Sequence, residues 1–374
     1  MNVINYHLTN SCNYRCTYCF GKFPNKAELT FDQACSVVDN IARYFSKNGI
    51  ADGRINLAGG EPLLCRYLDD LIDYICAYGI KVSIITNGSL LTKERIAFWK
   101  GKVCCIGLSI DSALSETNAA IGRSCNSKQL TDKQMVSITQ AIHRNGIELK
   151  INTVVSKFNV NEDMRVIYKR LKPNKLKLLQ VEIVDGINDC ANKFAISKKE
   201  FDRFCARHKS SCHSLVCESE RDMENSYLMI NPQGELQLND NGKYFTYGSC
   251  LEEDLDDILL RTPISADKFY ARYGKQKESM KITKKICIFG GHPTWMKGLK
   301  ECLVNAIFIK DGNLRNIDVV RNADEIWIQP NAISHSLYGK VKAVAQLNGI
   351  PIRYFDYAGT KKCLEQVFLK EAAF

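Results

Sequence analysis

The sequence predicts an α/β fold, a partial (β/α)6 barrel with a C-terminal capping extension, followed by a small three-layer α/β domain. Three observations lead there. Strand-like and helix-like segments alternate six times over residues 1–185. Alternation of this kind builds a parallel sheet with right-handed crossovers. The pattern then lapses over residues 186–270, which read as an extension of the first unit. A polar, basic linker at 271–285 precedes a fresh α/β pattern at 286–374. A chain of 374 residues has room for one large and one small core.

Each element has a local cause. Residues 3–9 form an apolar run. Thr30 and Gln33 make a capping box, behind which Ala34, Val37, Val38, Ile41, Ala42 and Phe45 recur at helical spacing. Strands are expected at 54–59, 81–88, 104–111, 148–155 and 175–184. Helices are expected at 67–79, 92–100, 131–144 (capped by Thr131 with Gln134) and 162–171. Six such units suit a partial barrel, and barrels of this type gather chemistry at the C-terminal ends of their strands. In the extension, 198–209 and 250–260 read as helices. Residues 226–238 read as a hairpin turning at Pro232, Gln233 and Gly234. In the last domain, strands at 286–291, 323–330 and 350–355 alternate with helices at 295–303, 335–349 and 361–369.

Composition narrows the setting. Hydrophobic residues make up 45% and charged residues 25%, as in ordinary soluble domains. No apolar run is long enough to span a bilayer, and the start lacks a signal-peptide apolar region. A cytoplasmic location is the expectation, with no membrane association. The net charge of +10 favours anionic partners. Seventeen cysteines in a long chain without a signal read as reduced thiols, a few of them metal ligands. Cys35, Cys76, Cys104 and Cys105 sit in apolar runs and read as small core residues.

The sharpest motif is Cys12-Asn-Tyr-Arg-Cys16-Thr-Tyr-Cys19, on a loop after the first strand. Three thiolates at this spacing can hold three corners of a [4Fe–4S] cluster. The fourth iron is then left to chelate S-adenosylmethionine (SAM) and pass an electron into its sulfonium. A structural zinc site would want a fourth ligand at finger-like spacing, and none is near. Gly59-Gly60-Glu61-Pro62 ends the second strand, where glycines allow close backbone approach and Glu61 can accept from an ammonium group. Thr86-Asn87-Gly88-Ser89 ends the third strand, and Ser109 and Asp111 end the fourth. These polar ends can line one cavity, although each alone is more often a turn or cap.

Together these strings resemble the radical SAM superfamily and, within it, the viperin family of animals and prokaryotes. NYHLTNSCNYRCTYCF, INLAGGEPLL, SIITNGSLL, LSIDS, IGR at 121–123, LKINTVV, FNVNEDM and ENSYL carry the resemblance, in order, from about residue 3 to residue 260. It implies conversion of a ribonucleoside triphosphate (CTP, UTP or GTP) to its 3′-deoxy-3′,4′-didehydro form, a terminator of RNA synthesis used in antiviral or antiphage defence. It implies hydrogen abstraction from C4′ and loss of the 3′-hydroxyl as water. The cofactors would be a [4Fe–4S] cluster and SAM, with an electron donor such as flavodoxin or ferredoxin and no direct binding of nucleic acid.

By the same resemblance Cys12, Cys16 and Cys19 would bind the cluster, and Gly59, Gly60, Glu61, Asn87, Ser109 and Arg123 would contact SAM. Arg54, Asn56, Lys150, Asn152, Lys175 and Lys177 would face the nucleotide, and Tyr227 the radical. Arg54 stands where the family commonly has Lys, Lys175 where animal members have Arg, and Ala58 where a Ser is usual. The amphipathic N-terminal helix of the animal proteins is not expected. Alternation puts Lys150 with Asn152, and Lys175 with Lys177, on shared strand faces. Inward-pointing lysines are costly unless an anion meets them; outward between helices is the alternative.

Two other readings stand beside this one. A radical SAM peptide-modifying enzyme would carry extra clusters, for which Cys205, His208, Cys212, His213 and Cys217 are the candidates. A non-catalytic nucleotide sensor would keep the fold without the chemistry. Residues 286–374 fall outside the resemblance and look like a small bacterial domain of unknown role. There Gly290-Gly291 is a turn or a weak phosphate site, and His292 and His335 read as structural or surface residues.

Overall fold

The computed structural model describes residues 1–21, 27–272, 285–290, 299, 303, 306–309, 318–329 and 333–355. It divides into two compact units, Met1–Arg272 and Tyr273–Phe374.

In the first unit β1 (Val3–His7), β2 (Arg54–Ala58), β3 (Lys81–Thr86), β4 (Val103–Ser109), β5 (Glu148–Val155) and β6 (Lys175–Gln180) pair in sequence order, every pair parallel. The helices between them are α1 (Phe31–Lys47), α2 (Leu68–Ala77), α3 (Lys93–Phe98), α4 (Ser115–Ile121), α5 (Asp132–Arg144) and α6 (Arg165–Leu171). Both expected capping boxes form, Thr30 with Gln33 and Thr131 with Gln134. The apolar stripe of α1 is buried through Val37, Val38, Ile41 and Phe45. This is the partial (β/α)6 barrel that alternation predicts.

The extension does not form a separate layer. After α7 (Lys198–Arg207), β7 (Leu215–Glu218) joins β6 in parallel, so the sheet continues past residue 185. The helix α8 (Glu220–Met223) follows. Then β8 (Met229–Ile230) joins the other side of β1, and β9 (Glu235–Asp240) and β10 (Lys243–Ser249) follow antiparallel. The full order is β10-β9-β8-β1-β2-β3-β4-β5-β6-β7. The hairpin expected at 226–238 is the β8–β9 pair.

Sequence reasoning did not find β7 or β10. β7 has only four residues, and β10 is largely exposed, with a bulge between Thr246 and Gly248. Neither carries a clean apolar alternation. The sixth strand stops at Gln180, not 184, because Val184 turns its N–H to the Asn188 side chain. The helix expected at 250–260 is α9 (Leu255–Leu260), since the N–H groups of Glu252 and Glu253 bond back to Ser249 in a turn. A last helix, α10 (Ala266–Ala271), ends the unit.

The second unit holds a parallel sheet, β11 (Ile286–Phe289), β12 (Ala306–Ile309), β13 (Glu325–Ile328) and β14 (Ile352–Tyr354), in the order β12-β11-β13-β14. Apolar clusters bury both faces, one around Trp327 and Phe355 and one around Ile326, Val320 and Val341. Parallel sheets require such double cover. Gly290 takes a left-handed φ of 74°, as a turn would need. The helix His335–Leu347 opens with His335 exposed. Most of the expected linker, Gly291, His292 and the helices at 295–303 and 361–369 lie outside the described residues, apart from Leu299 and Leu303.

The glycines after β2 admit no side chain. A Cβ on Gly60 would sit 2.3 Å from the carbonyl oxygen of Ser11, and Gly59 holds φ at 131° with Thr9 oxygen 2.6 Å from its own would-be Cβ. Gly60→Ala therefore must push the Ser11 backbone away. It is expected to cost on the order of 1–3 kcal/mol and to lower the thermal midpoint by several degrees. An unchanged midpoint in a thermal melt would contradict this packing.

Candidate active site

The cysteine loop is fixed from both sides by backbone. Gly60 N–H donates to Thr9 oxygen (2.7 Å) and Glu61 N–H to Ser11 oxygen (2.8 Å). From the end of α4, Arg15 N–H reaches Gly122 oxygen (3.2 Å) and Thr17 N–H reaches Ile121 oxygen (2.8 Å). Gly122 has φ of 84°, and a Cβ there would lie 2.3 Å from the Arg15 oxygen.

Glu61 is fully buried. Its carboxylate accepts from Thr86 Oγ1 (2.6 Å), Asn87 N–H (2.8 Å) and Leu63 N–H (3.2 Å). Burial pushes its carboxyl up, and those bonds oppose the shift. The Asn87 amide donates to Asn13 Oδ1 (2.9 Å) and reaches Cys12 Sγ at 4.0 Å. Arg123 bonds Asp111 Oδ2 (2.6 Å), Ser109 oxygen (2.7 Å) and Cys16 Sγ (3.7 Å). Tyr18 donates to the same Asp111 oxygen, while Asp111 Oδ1 takes Val154 N–H at 2.7 Å. One buried aspartate thus ties the loop, Arg123 and two strand ends together.

The donor set suits an iron–sulfur cluster. Three thiols share one loop, and nitrogen donors point at two of the sulfurs: Tyr14 N–H (3.4 Å) at Cys12, and Arg123 at Cys16. Such bonds favour thiolates. Burial pushes the Cys16 thiol up to about 12, with Arg123 the main opposing influence. Ligation to iron reverses that cost, since only the thiolate binds. Among the described residues no three Cys, His, Asp or Glu converge closely enough for a single metal ion. Of the candidates for an extra ligand set, His208 spends its ring nitrogens on Phe204 oxygen (2.8 Å) and Met164 N–H (2.9 Å), as a core histidine does.

Farther along the strands the interior becomes cationic. Register pairs Gly107 with Lys150 and Lys150 with Lys175, then Ser109 with Asn152 and Asn152 with Lys177. Gly107 makes the room: a Cβ there would lie 3.0 Å from Lys150 Cε and 3.2 Å from Asn152 Nδ2. Burial lowers the affinity of Lys150 and Lys175 for their protons, and nearby Arg54 lowers it further. Asn152 Oδ1 is buried without a hydrogen-bond partner. Asn56 donates to Asn5 Oδ1 (2.9 Å) and accepts from Ser83, extending the polar interior toward β1.

Lys177, expected to face the nucleotide, also has partners within the protein. Its ammonium pairs with Glu218 (3.0 Å) and donates to the Tyr227 hydroxyl, which in turn donates to the other Glu218 oxygen. Arg272 Nε lies 2.7 Å from Glu218, and its guanidinium stacks 3.5 Å from the Tyr227 ring centre. Burial brings Lys177 down to about 7 against the pull of Glu218. Burial works against the Glu218 charge too, yet Lys177 and Arg272 hold its carboxyl below the usual range. Sequence reading missed Glu218 and Arg272. Glu218 shares the face of Val216 on an unrecognised strand, and Arg272 lies just inside the boundary taken for a linker.

The structure therefore gathers the cysteines, Gly59, Gly60, Glu61, Asn87, Ser109 and Arg123 at one end. It sets Lys150, Asn152, Lys175 and Lys177 on adjoining faces of β5 and β6, with Arg54 of β2 near Lys150 and Lys175 and with Tyr227 bonded to Lys177. His7, beside Ala58 in register, is a further buried residue there.

Comparison with known proteins agrees with this geometry. Residues 6–171 match the family model of the radical SAM superfamily. A protein of Flammeovirga pacifica named S-adenosylmethionine-dependent nucleotide dehydratase is 36% identical over 280 residues, covering 72% of this chain and 94% of its own length. A protein of Selenomonas ruminantium with the same name is 34% identical, covering 72% and 98%. Among solved structures, the enzyme described as native anSMEcpe with bound AdoMet and Cp18Cys peptide has a TM-score of 0.55 at 14% identity, over 72% of this chain and 81% of that one. SuiB of Streptococcus suis bound to S-adenosylmethionine has a TM-score of 0.52 at 15% identity, over 80% and 71%. At such identities these two structures speak for the fold alone.

Burial depresses His7 from 6.5 to about 4. The folded state holds it neutral, so its contribution is present above pH 6.5 and is lost as pH falls through 4. In that window the loss is roughly 1.4 kcal/mol per pH unit. Denaturant melts of His7→Gln should show a flatter decline than wild type between pH 6.5 and 4; parallel declines would assign the acid sensitivity elsewhere.

Proposed function

This chain belongs to the S-adenosylmethionine-dependent nucleotide dehydratases of the radical SAM superfamily, and from that membership we propose that it converts a ribonucleoside triphosphate to the 3′-deoxy-3′,4′-didehydro nucleotide. Its cofactors are a [4Fe–4S] cluster and SAM. When bound, they supply the electron and the carbon-centred radical that begin the reaction. Cys12, Cys16 and Cys19 hold the cluster. Gly59 and Gly60 let the backbone approach SAM, and Glu61, Asn87, Ser109 and Arg123 orient it.

The observation that carries the substrate reading is the register of buried and half-buried cations. Lys150 and Lys175 lie side by side, with Arg54 close by and Lys177 one step along β6. Several cations converging in one interior suit a ligand that carries several negative charges, and a triphosphate is such a ligand. Asn56 and Asn152 face the ribose, where abstraction at C4′ and departure of the 3′-hydroxyl take place. Tyr227 donates a hydrogen or relays an electron; its hydroxyl is held by Lys177 and Glu218. The net charge of +10 suits an acidic electron carrier such as flavodoxin or ferredoxin. Among the described residues no helix is long and apolar enough to cross a membrane, which accords with a cytoplasmic enzyme. The catalytic unit is Met1–Arg272, the barrel with its extension, and Tyr273–Phe374 is a second, small unit.

The test is an assay of the cluster-loaded protein with SAM and each of the four nucleoside triphosphates, products read by mass spectrometry. At least one should lose one water's mass and leave 5′-deoxyadenosine; absence of both from all four would refute the reading. Lys150→Ala should raise the apparent nucleotide constant by roughly tenfold or more and leave SAM affinity unchanged. Tyr227→Phe should keep some SAM cleavage while dehydrated product falls sharply; product at the wild-type rate would remove the phenol from the chemistry.

A further inference from the structure

One buried carboxyl near the mouth of the barrel has no part in the chemistry above. Glu182 follows β6 and is 8% exposed. One of its oxygens accepts from Asn239 Nδ2. Burial pushes its carboxyl up to about 7; Glu220, Glu218 and Glu224 push the same way, against the Asn239 bond. A buried carboxyl whose strongest charged neighbours are all acidic is costly and marks a ligand site more readily than a structural ion pair. Its partner is incomplete as well, because Asn239 Oδ1 is buried and accepts no hydrogen bond.

Register turns Asn239 to the interior. Asn5 pairs with Met229 and Met229 with Gln237, and Asn5 bonds Asn56 inside the barrel. Asn239 lies two residues beyond Gln237 and so shares its face. Opposite it across β10 is Tyr244, whose ring meets Phe20 edge-on at 6.2 Å, next to Cys19. The Asn188 amide donates to the main-chain carbonyls of both Tyr18 (3.0 Å) and Glu182 (2.9 Å). Glu182 and Asn239 thus lie beside the cysteine loop. Five residues, at most about 18 Å of chain, separate Glu182 from Lys177. That is the scale of a nucleotide extended from its phosphates to its base.

Building on the reading of the substrate as a nucleotide, we infer that Glu182 and Asn239 recognise its base and select one bearing an exocyclic amino group over uracil. A carboxylate and an amide oxygen both accept, so they suit an –NH2 edge. Uracil presents an oxygen there and would leave two buried acceptors unpaired.

The test measures equilibrium binding of CTP, GTP, ATP and UTP to the full-length, cluster-loaded protein with SAM present. Wild type should bind its best amino-bearing nucleotide at least roughly tenfold more tightly than UTP. Glu182→Gln, which replaces an acceptor by a donor, should reduce that ratio by about tenfold and leave SAM affinity unchanged. Asn239→Ala removes the second acceptor and should move the ratio in the same direction, so it gives the answer if the first variant does not fold. A ratio unchanged in the folded variants, or UTP bound best by wild type, overturns the inference. A loss of SAM affinity with the ratio intact also overturns it, by assigning the carboxyl to the adenine of SAM. Wild type that binds no nucleotide overturns the substrate reading itself, a separate and recognisable failure.

Discussion

Burying positive charge is the constraint around which the first unit is organised. Lys150, Lys175 and Lys177 sit on adjacent strands in register, with Arg54 close to the first two. None of these charges is cheap to hold inside a barrel. Gly107 clears space for the Lys150 chain, and the neighbouring faces carry Asn152, Asn56, Asn5 and Ser83 where apolar side chains would otherwise pack. The compensating carboxylate comes from outside the six-strand barrel: Glu218 on β7 takes Lys177 and Arg272 together. The extension is thereby part of the site's electrostatics. It supplies Glu218, Tyr227 and Arg272, and without them Lys177 would be a buried, unpaired cation.

The other end of the barrel solves a different problem, the shape of a loop. The cysteines follow β1 directly, and the loop has little secondary structure of its own. Its conformation is set by backbone bonds to Gly60, Glu61, Ile121 and Gly122, and by Asp111 beneath it. Two glycines permit an approach that a Cβ would block. The loop is shaped by steric limits, the cationic strands by electrostatic ones, and the strand direction orders the two regions. On the proposed reading SAM would sit at the mouth, beside the cysteines, and the phosphates deeper, on the lysines.

Much of this was legible in the sequence. The six parallel units follow from period and capping residues, which act locally. The cysteine spacing and GGEP are contiguous strings, so they survive without any knowledge of the fold. Alternation was enough to place Lys150 with Asn152 and Lys175 with Lys177. Partners that meet across the sheet were not legible. Glu218 is 41 residues from Lys177 in the chain, on a strand of four residues with no apolar signature. Arg272 looked like the first residues of a basic linker. Glu182 lay within what read as a strand that runs on to 184, and only its departure from the ladder brings it against Asn239. Contacts of this kind depend on topology, which one-dimensional periodicity does not encode.

The most direct measurement follows from Lys177, which burial brings to about 7. A triphosphate beside it restores the preference for the charged form. Nucleotide binding at pH 8 should therefore take up protons, by a fraction approaching one per site. Titration calorimetry in buffers of different ionisation enthalpy reads that number. Uptake that disappears in Lys177→Met is the predicted result. Tight binding with no net proton uptake, or uptake unchanged in Lys177→Met, would contradict the placement of the phosphates on these strands.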